Sequence, residues 1–268
     1  MKFLYETFLK DFRIAISYKA QFLFSIISIL LTVFAFFLIS QLIDSGSSIH
    51  LEQYDSYMFF LIFGVISSEI SMILITNSSR NIREMQLTGI FEELIASGRN
   101  ISEIILSTFM YPILWLIIRI LIYVFAANFI FNVSIHLDNI SFISLVAVLF
   151  FVVSMIGIGL VSISSIITIK SGNYLGTAYL TISSVFGGVA YPTSVLPGKI
   201  AFISELLPTT HFLNIFRMDA MTTNLSFSEI SHSFTLLFFL SLIFISLGLY
   251  LLKISIKIAK KHGSLLFY

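Results

Sequence analysis

Two ionisable side chains stand inside otherwise apolar runs, and their types and positions are the first hint of chemistry. Glu69 falls in the run Ser56–Thr76 and Arg119 in the run Ile104–Phe131. A lone charge in hydrocarbon is expensive, so an intramembrane acid or base is by default functional and needs a partner. Counted from the basic end of its run, Glu69 lies about eight residues deep and Arg119 about fifteen, which at 1.5 Å rise separates them by about 10 Å. Long side chains can close much of that gap. The pattern predicts a Glu69–Arg119 pair or shared polar network, helped by Ser67, Ser68 and Ser71. Such a network either relays movement or simply fixes helix packing.

Other chemistry is sparsely represented. With no cysteine, disulfides, thiolate metal sites and cysteine nucleophiles are excluded. His50, His136, His211, His232 and His262 are scattered with no pair at i,i+4, so no metal site is expected. The spans hold no close pair of carboxylates, which argues against a membrane-embedded enzyme. No G-x-x-x-x-G-K-[ST] phosphate loop is present; the nearest fragment, Gly198-Lys199-Ile200, lacks the first glycine and the hydroxyl. A proton-coupled carrier built on Glu69 would be expected to repeat between its halves, and the halves show no repeat.

The elements that must hold these residues are membrane helices. Hydrophobic residues make up 57% of the 268 and charged ones only 11%, far below the ~25% charged content of soluble domains. A bilayer core takes about 20 apolar residues per helix. Six runs qualify: Ala20–Ile43, Ser56–Thr76, Ile104–Phe131, Ile140–Ile169, the shorter Tyr174–Tyr191, and Ile230–Leu252. One transmembrane domain over residues 1–268 is expected. Residues 1–19 form an amphipathic interfacial helix, with Leu4, Phe8, Phe12 and Ala15 on one face and Lys2, Glu6, Lys10 and Arg13 on the other. The run that follows is too long for a cleaved signal peptide. Orientation follows from the cations. Lys2, Lys10, Arg13, Lys19, Arg80, Arg83, Arg99, Lys170, Lys253, Lys257, Lys260 and Lys261 fall on one side, against Lys199 and Arg217 on the other. The acids Asp44, Glu52, Asp55 and Asp138 accompany that second side. Positive loops stay cytoplasmic, so both termini are expected there.

Two connecting segments are too long for turns. Residues 78–103, on the basic side, contain a short helix that Thr88 would cap, that carries Glu92 and Glu93 early and that Gly98 would end. Ile90, Phe91, Leu94 and Ile95 give it an apolar face, suited to a groove in a soluble partner or to the protein's own base. Residues 192–224, on the other side, hold Pro192, Pro197 and Pro208, separated by apolar pieces too short to span. Short re-entrant helices over the outer mouth are expected, their backbone buried in protein or lining a cavity.

With the order of elements, two blocks carry a resemblance: Gly89 to Arg99 followed by Ile101-Ser-Glu-Ile-Ile105, and Tyr191-Pro-x-Ser-x-Leu-Pro…Leu-Pro-x-Thr-His…Arg217. The chain resembles the ABC-2 type membrane subunits of ATP-binding-cassette exporters over nearly its whole length. The resemblance implies that Ile90, Phe91, Glu92, Glu93, Leu94 and Arg99 form a coupling helix seated on an ATPase subunit. It implies that Pro192, Leu196, Pro197, Pro208, His211 and Arg217 belong to an external gate. It further implies a second permease chain, identical or similar, and two copies of a separate ATPase that holds ATP and magnesium. No cofactor is expected in this chain, and no nucleic acid among its partners. The plasma membrane would be its site. Its cargo would be a hydrophobic or lipid-like compound leaving the cytoplasm or inner leaflet, or else a lipid-linked polysaccharide.

Overall fold

The computed structural model describes residues 2–44, 57–130, 141–169, 172–221 and 227–261. The acids Glu52, Asp55 and Asp138, and Lys170, His50, His136 and His262, lie outside them. Among the described residues every regular element is helical. In order these are α1 (Lys2–Ser17), α2 (Lys19–Asp44), α3 (Tyr57–Met72), a π-helical segment (Ile73–Asn77), α4 (Ser78–Leu87), α5 (Ile90–Ala96) and α6 (Ile101–Phe125). Then come a second π turn (Ala126–Ile130), α7 (Phe142–Ile169), α8 (Tyr174–Phe186), a short 3₁₀ turn (Thr193–Val195), α9 (Gly198–Glu205), α10 (Pro208–Met221) and α11 (Phe227–Lys261).

Five stretches are long and apolar enough to cross a bilayer: Lys19–Gln41, Tyr57–Leu87, Ile101–Ile130, Phe142–Ile169 and Ile230–Ala259. The expected run Tyr174–Tyr191 is instead a 13-residue helix that stops at Phe186. The turn after it holds Gly188 at φ +74°, a conformation that ends helices and that side chains with a Cβ resist. A second departure concerns the inner loop. Its first ten residues continue the span through the π-segment as α4, so α3, the π-segment and α4 make one 31-residue rod. Ser78 Oγ reaches the Thr108 carbonyl of α6 at 3.4 Å and holds that extension against its neighbour.

That rod is the axis of the bundle. In its apolar window 83% of residues are buried, against 11% for the Lys19–Gln41 span, whose outer surface is left to lipid or another chain. Directions follow from side-chain pairs. Glu69 of α3 meets Arg119 and Tyr123 of α6 while Ser78 meets Thr108, so α3 and α6 run antiparallel. Phe150 meets Phe234, and Ser255 donates to the Ser164 carbonyl, so α7 and α11 run parallel. They cross with backbones in contact: a Cβ on Gly157 would stand 2.5 Å from the Phe244 carbonyl carbon, and one on Gly248 2.4 Å from the Gly157 oxygen. Small residues at a crossing allow the close van der Waals approach that drives helix association in lipid. On α1, Thr7 is buried and Phe3, Leu4 and Phe8 are half-buried, while Phe12, expected on the same apolar face, is 37% exposed.

Candidate functional site

Three polar constellations lie along the rod: one midway, one at its C-terminal, cation-rich end (the inner end) and one at its N-terminal end (the outer end). At mid-depth, Arg119 Nη2 donates to Glu69 Oε1 at 3.1 Å, and the Tyr123 hydroxyl donates to the same oxygen at 3.0 Å. Arg119 and Tyr123 are four apart on α6 and therefore share a face. The two charged side chains are less than one-fifth exposed and Tyr123 is buried. The network differs from expectation in its remaining members. Ser67 and Ser71 give their hydroxyls to their own helix, at the Gly64 and Ser67 carbonyls, and take no part. Tyr123 replaces them; its spacing from Arg119 was the available signal. Just beyond Glu69 comes the π-segment, a form that collects at functional positions and here lies between the charge network and α4.

At the inner end, Thr88 does not cap the short helix. Its hydroxyl donates back to the Glu84 carbonyl at 2.8 Å and closes α4, while Gly89 at φ +75° precedes α5 and Gly98 at φ +81° follows it. The expected apolar face is divided. Phe91 is 1% exposed and belongs to the chain's own core, with Leu94 and Ile95 half-buried against it. Ile90 and the preceding Leu87 point outward instead, at 46% and 61% exposure. Glu93 is exposed and Glu92 half-buried. The Arg99 guanidinium lies 5.0 Å from the centre of the Phe3 ring, which ties α1 to this segment by a cation–π contact.

At the outer end, the chain after α8 folds back on itself. Pro192 precedes the 3₁₀ turn, Leu196 follows it, Pro197 caps α9 and Pro208 opens α10. The Thr209 hydroxyl meets those of Ser183 and Tyr179 on α8, at 2.7 and 3.2 Å, and Phe151 of α7 stacks on Phe212. The start of α10 is therefore sunk into the bundle, and its end returns to the first residues of α7. There Asp219 Oδ2 accepts from the Ser141 N–H at 2.7 Å and the Ser144 hydroxyl at 2.6 Å. This carboxylate at the N-terminus of α7 satisfies otherwise unpaired donors and opposes the positive end of the helix dipole. Nothing in the sequence around Asp219 signalled this role.

Two residues earlier, Arg217 is buried and spends its guanidinium on backbone. Nη1 donates to the Gly188 carbonyl at 2.7 Å; Nη2 donates to Phe60 at 2.9 Å and to Val189 at 3.2 Å. The group also sits 3.4 Å from the centre of the Phe60 ring. Tyr57 adds a hydrogen bond to the Ala190 carbonyl at 2.7 Å. The turn packs so closely on α3 that a Cβ on Gly64 would fall 2.1 Å from the Val189 oxygen. His211 is buried, and its Nε2–H donates to the Glu205 carbonyl at 2.8 Å. Burial pushes the imidazole below the ordinary histidine range.

An apolar helical bundle with short inner helices beside its longest buried rod and a folded-back segment at the opposite mouth has the form of a transport subunit. The chain belongs to the ABC-2 type transporter family, whose model matches residues 3–219, from α1 to the Asp219 cap. It is thus a membrane permease component of an ABC transporter, a type of subunit that works with an ABC ATPase. No curated protein matches the chain.

Proposed function

We propose that this chain is the permease of an ABC exporter. Two permease chains and two copies of a separate ATPase would move a hydrophobic or lipid-like compound out of the cytoplasm or inner leaflet. The observation that carries the reading is the short helix Ile90–Ala96. It is set between two left-handed glycines and joined through α4 and the π-segment to the buried Glu69–Arg119–Tyr123 network. The outward side chains Leu87 and Ile90 would seat in the ATPase, with Glu93 beside them, while Phe91 anchors the helix to its own span. Nucleotide binding would draw the ATPases together and push this helix; the rod would carry the push to the charge network. The cargo would leave past the segment from Pro192 to Arg217.

Six crossings fit this scheme. Because α7 and α11 run parallel, the chain between them has to cross back. Helix α8 covers about 20 Å of a hydrocarbon core of about 30 Å. The bent turn Gly187–Tyr191, packed on α3, would carry the chain onward. Both termini then lie on the cation-rich, cytoplasmic side of the plasma membrane. The hydrophobic cargo rests on the scarcity of charge in the membrane, and a lipid-linked polysaccharide remains the second reading.

The test is recovery of the tagged full chain from its native membrane in mild detergent. A co-purifying ATPase with a phosphate-loop motif, lost in the Leu87→Asp/Ile90→Asp double variant but kept in wild type, supports the assignment. A chain that comes down alone, folded and without ATPase activity, overturns it and favours a carrier built on Glu69.

A further inference from the structure

The last helix carries a surface whose composition matches one kind of molecule. Around α11, residues 239, 243, 250, 253, 257 and 261 fall within about 40° of a common line at 100° per residue. Phe239, Ile243 and Tyr250 along it are more than half exposed, and Lys253, Lys257 and Lys261 continue it in exposed positions. The line therefore runs from apolar, through one interfacial tyrosine, to three lysines one turn apart, the same order as acyl chain, glycerol level and phosphate in a leaflet.

Among the described residues, Lys253, Lys257 and Lys261 form no ion pair with an acid. From residue 230 to the end the sequence contains no Asp or Glu. The ion pairs on other elements include Lys10–Asp11, Arg80–Glu84 and Arg119–Glu69. Arg99, at the same end of the bundle, is engaged by Phe3. The opposite face of the stripe is fixed: Leu252, Ser255 and Ala259 are buried, and Ser255 bonds both the Ser164 carbonyl and Thr168 at 3.0 Å. The basic turns are thus held against α7, so little ordering of the helix is needed to present the three ammonium groups together.

We infer that the α11 stripe is a binding site for an anionic phospholipid of the cytoplasmic leaflet. Its acyl chains lie along Phe239 and Ile243, and its phosphate is held by Lys253, Lys257 and Lys261. The stripe lies beyond the residues matched to the family. The inference rests on the membrane orientation above and not on the transport cycle.

The experiment is native mass spectrometry of the detergent-purified full chain, titrated with phosphatidylglycerol and, separately, phosphatidylcholine. Wild type should retain phosphatidylglycerol preferentially. Each Lys→Gln change should weaken that retention about fivefold, and the triple variant K253Q/K257Q/K261Q about a hundredfold, with phosphatidylcholine unaffected. The triple Lys→Arg variant should bind as wild type does, and Lys10→Gln, whose lysine already faces Asp11, should change little. Thermal melts of all variants should coincide, because the substituted side chains are exposed. The inference is overturned if wild type shows no preference or if the triple Gln variant keeps it. It is also overturned if that variant loses a co-purifying protein while its lipid preference is intact, since the stripe would then be a protein contact. None of these outcomes depends on ATPase coupling, so the exporter reading stands or falls separately.

Discussion

The two mouths of the bundle are built on opposite principles. At the outer mouth, a 14-residue helix is embedded between α3, α7 and α11, and its two charges are spent internally, Arg217 on three carbonyls and Asp219 on the start of α7. At the inner mouth, a seven-residue helix is anchored by the buried Phe91 ring with Leu94 and Ile95 beside it, and with the end of α4 it turns Leu87, Ile90 and Glu93 outward. Buried charges with satisfied partners hold a fixed arrangement, because losing one partner strands the other. A short helix between left-handed glycines, with little of its surface committed, is free to be displaced by something that binds it. The contrast separates a part made to hold from a part made to be pushed.

Removing the outer lock should give the largest effect. Arg217→Met takes the donor from three buried carbonyls at roughly 1 kcal/mol or more apiece, a loss of about 3 kcal/mol or more. The purified variant should melt well below wild type, and Arg217→Lys should recover only part of the difference, since an ammonium cannot reproduce the planar fork. An unchanged melt for Arg217→Met would erase the distinction between the mouths from the outer side.

The inner mouth has its own internal contrast. Phe91→Ala should cost about 3 kcal/mol through the cavity it leaves, whereas Ile90→Ala should leave the melt within about 0.5 kcal/mol and weaken only ATPase retention. Equal melts for the two variants would mean that α5 is not anchored as described.

Mid-depth should lose less stability than the Arg217 or Phe91 sites and show its main effect in coupling. Gln at position 69 still offers an acceptor to Arg119 and Tyr123 but leaves the guanidinium without its counter-charge, so Glu69→Gln should lower stability by roughly 2–3 kcal/mol. ATP hydrolysis by the assembled complex should then continue while export falls to background. Normal export by a folded Glu69→Gln protein would reduce the network to a packing device.

Much of this was legible because membrane helices announce themselves by length and hydropathy, and because a charge in an apolar run stands out against a quiet background. Glu69 and Arg119 were found that way, and the structure brings them together. The outer prolines likewise marked where helices begin, since proline lacks the amide a helix interior needs. What stayed hidden depends on who faces whom. Phe91 and Ile90 are adjacent and both apolar, and only the packing of α5 on its own rod sends one inward and the other out. Asp219 carries no local signal, because its role exists only where α10 folds back to the start of α7. In the Tyr174–Tyr191 run hydropathy hid the break: the apolar stretch continues past Phe186, where the helix itself stops before Gly188.

The backbone-to-backbone crossing of α7 and α11 has a consequence for how the molecule is made. The Ser164 carbonyl and the hydroxyl that donates to it, Ser255 of α11, are separated by 91 residues. At about 5–20 residues per second, a ribosome takes roughly 5–20 s to synthesise that stretch. For all of that interval α7 is in the membrane with its glycine notch and serine hydroxyls facing lipid or a chaperone, its principal neighbour still unmade. The bundle closes from the last helix inward, and a chain that stalls in the segment between them would leave an open seam for quality control to recognise.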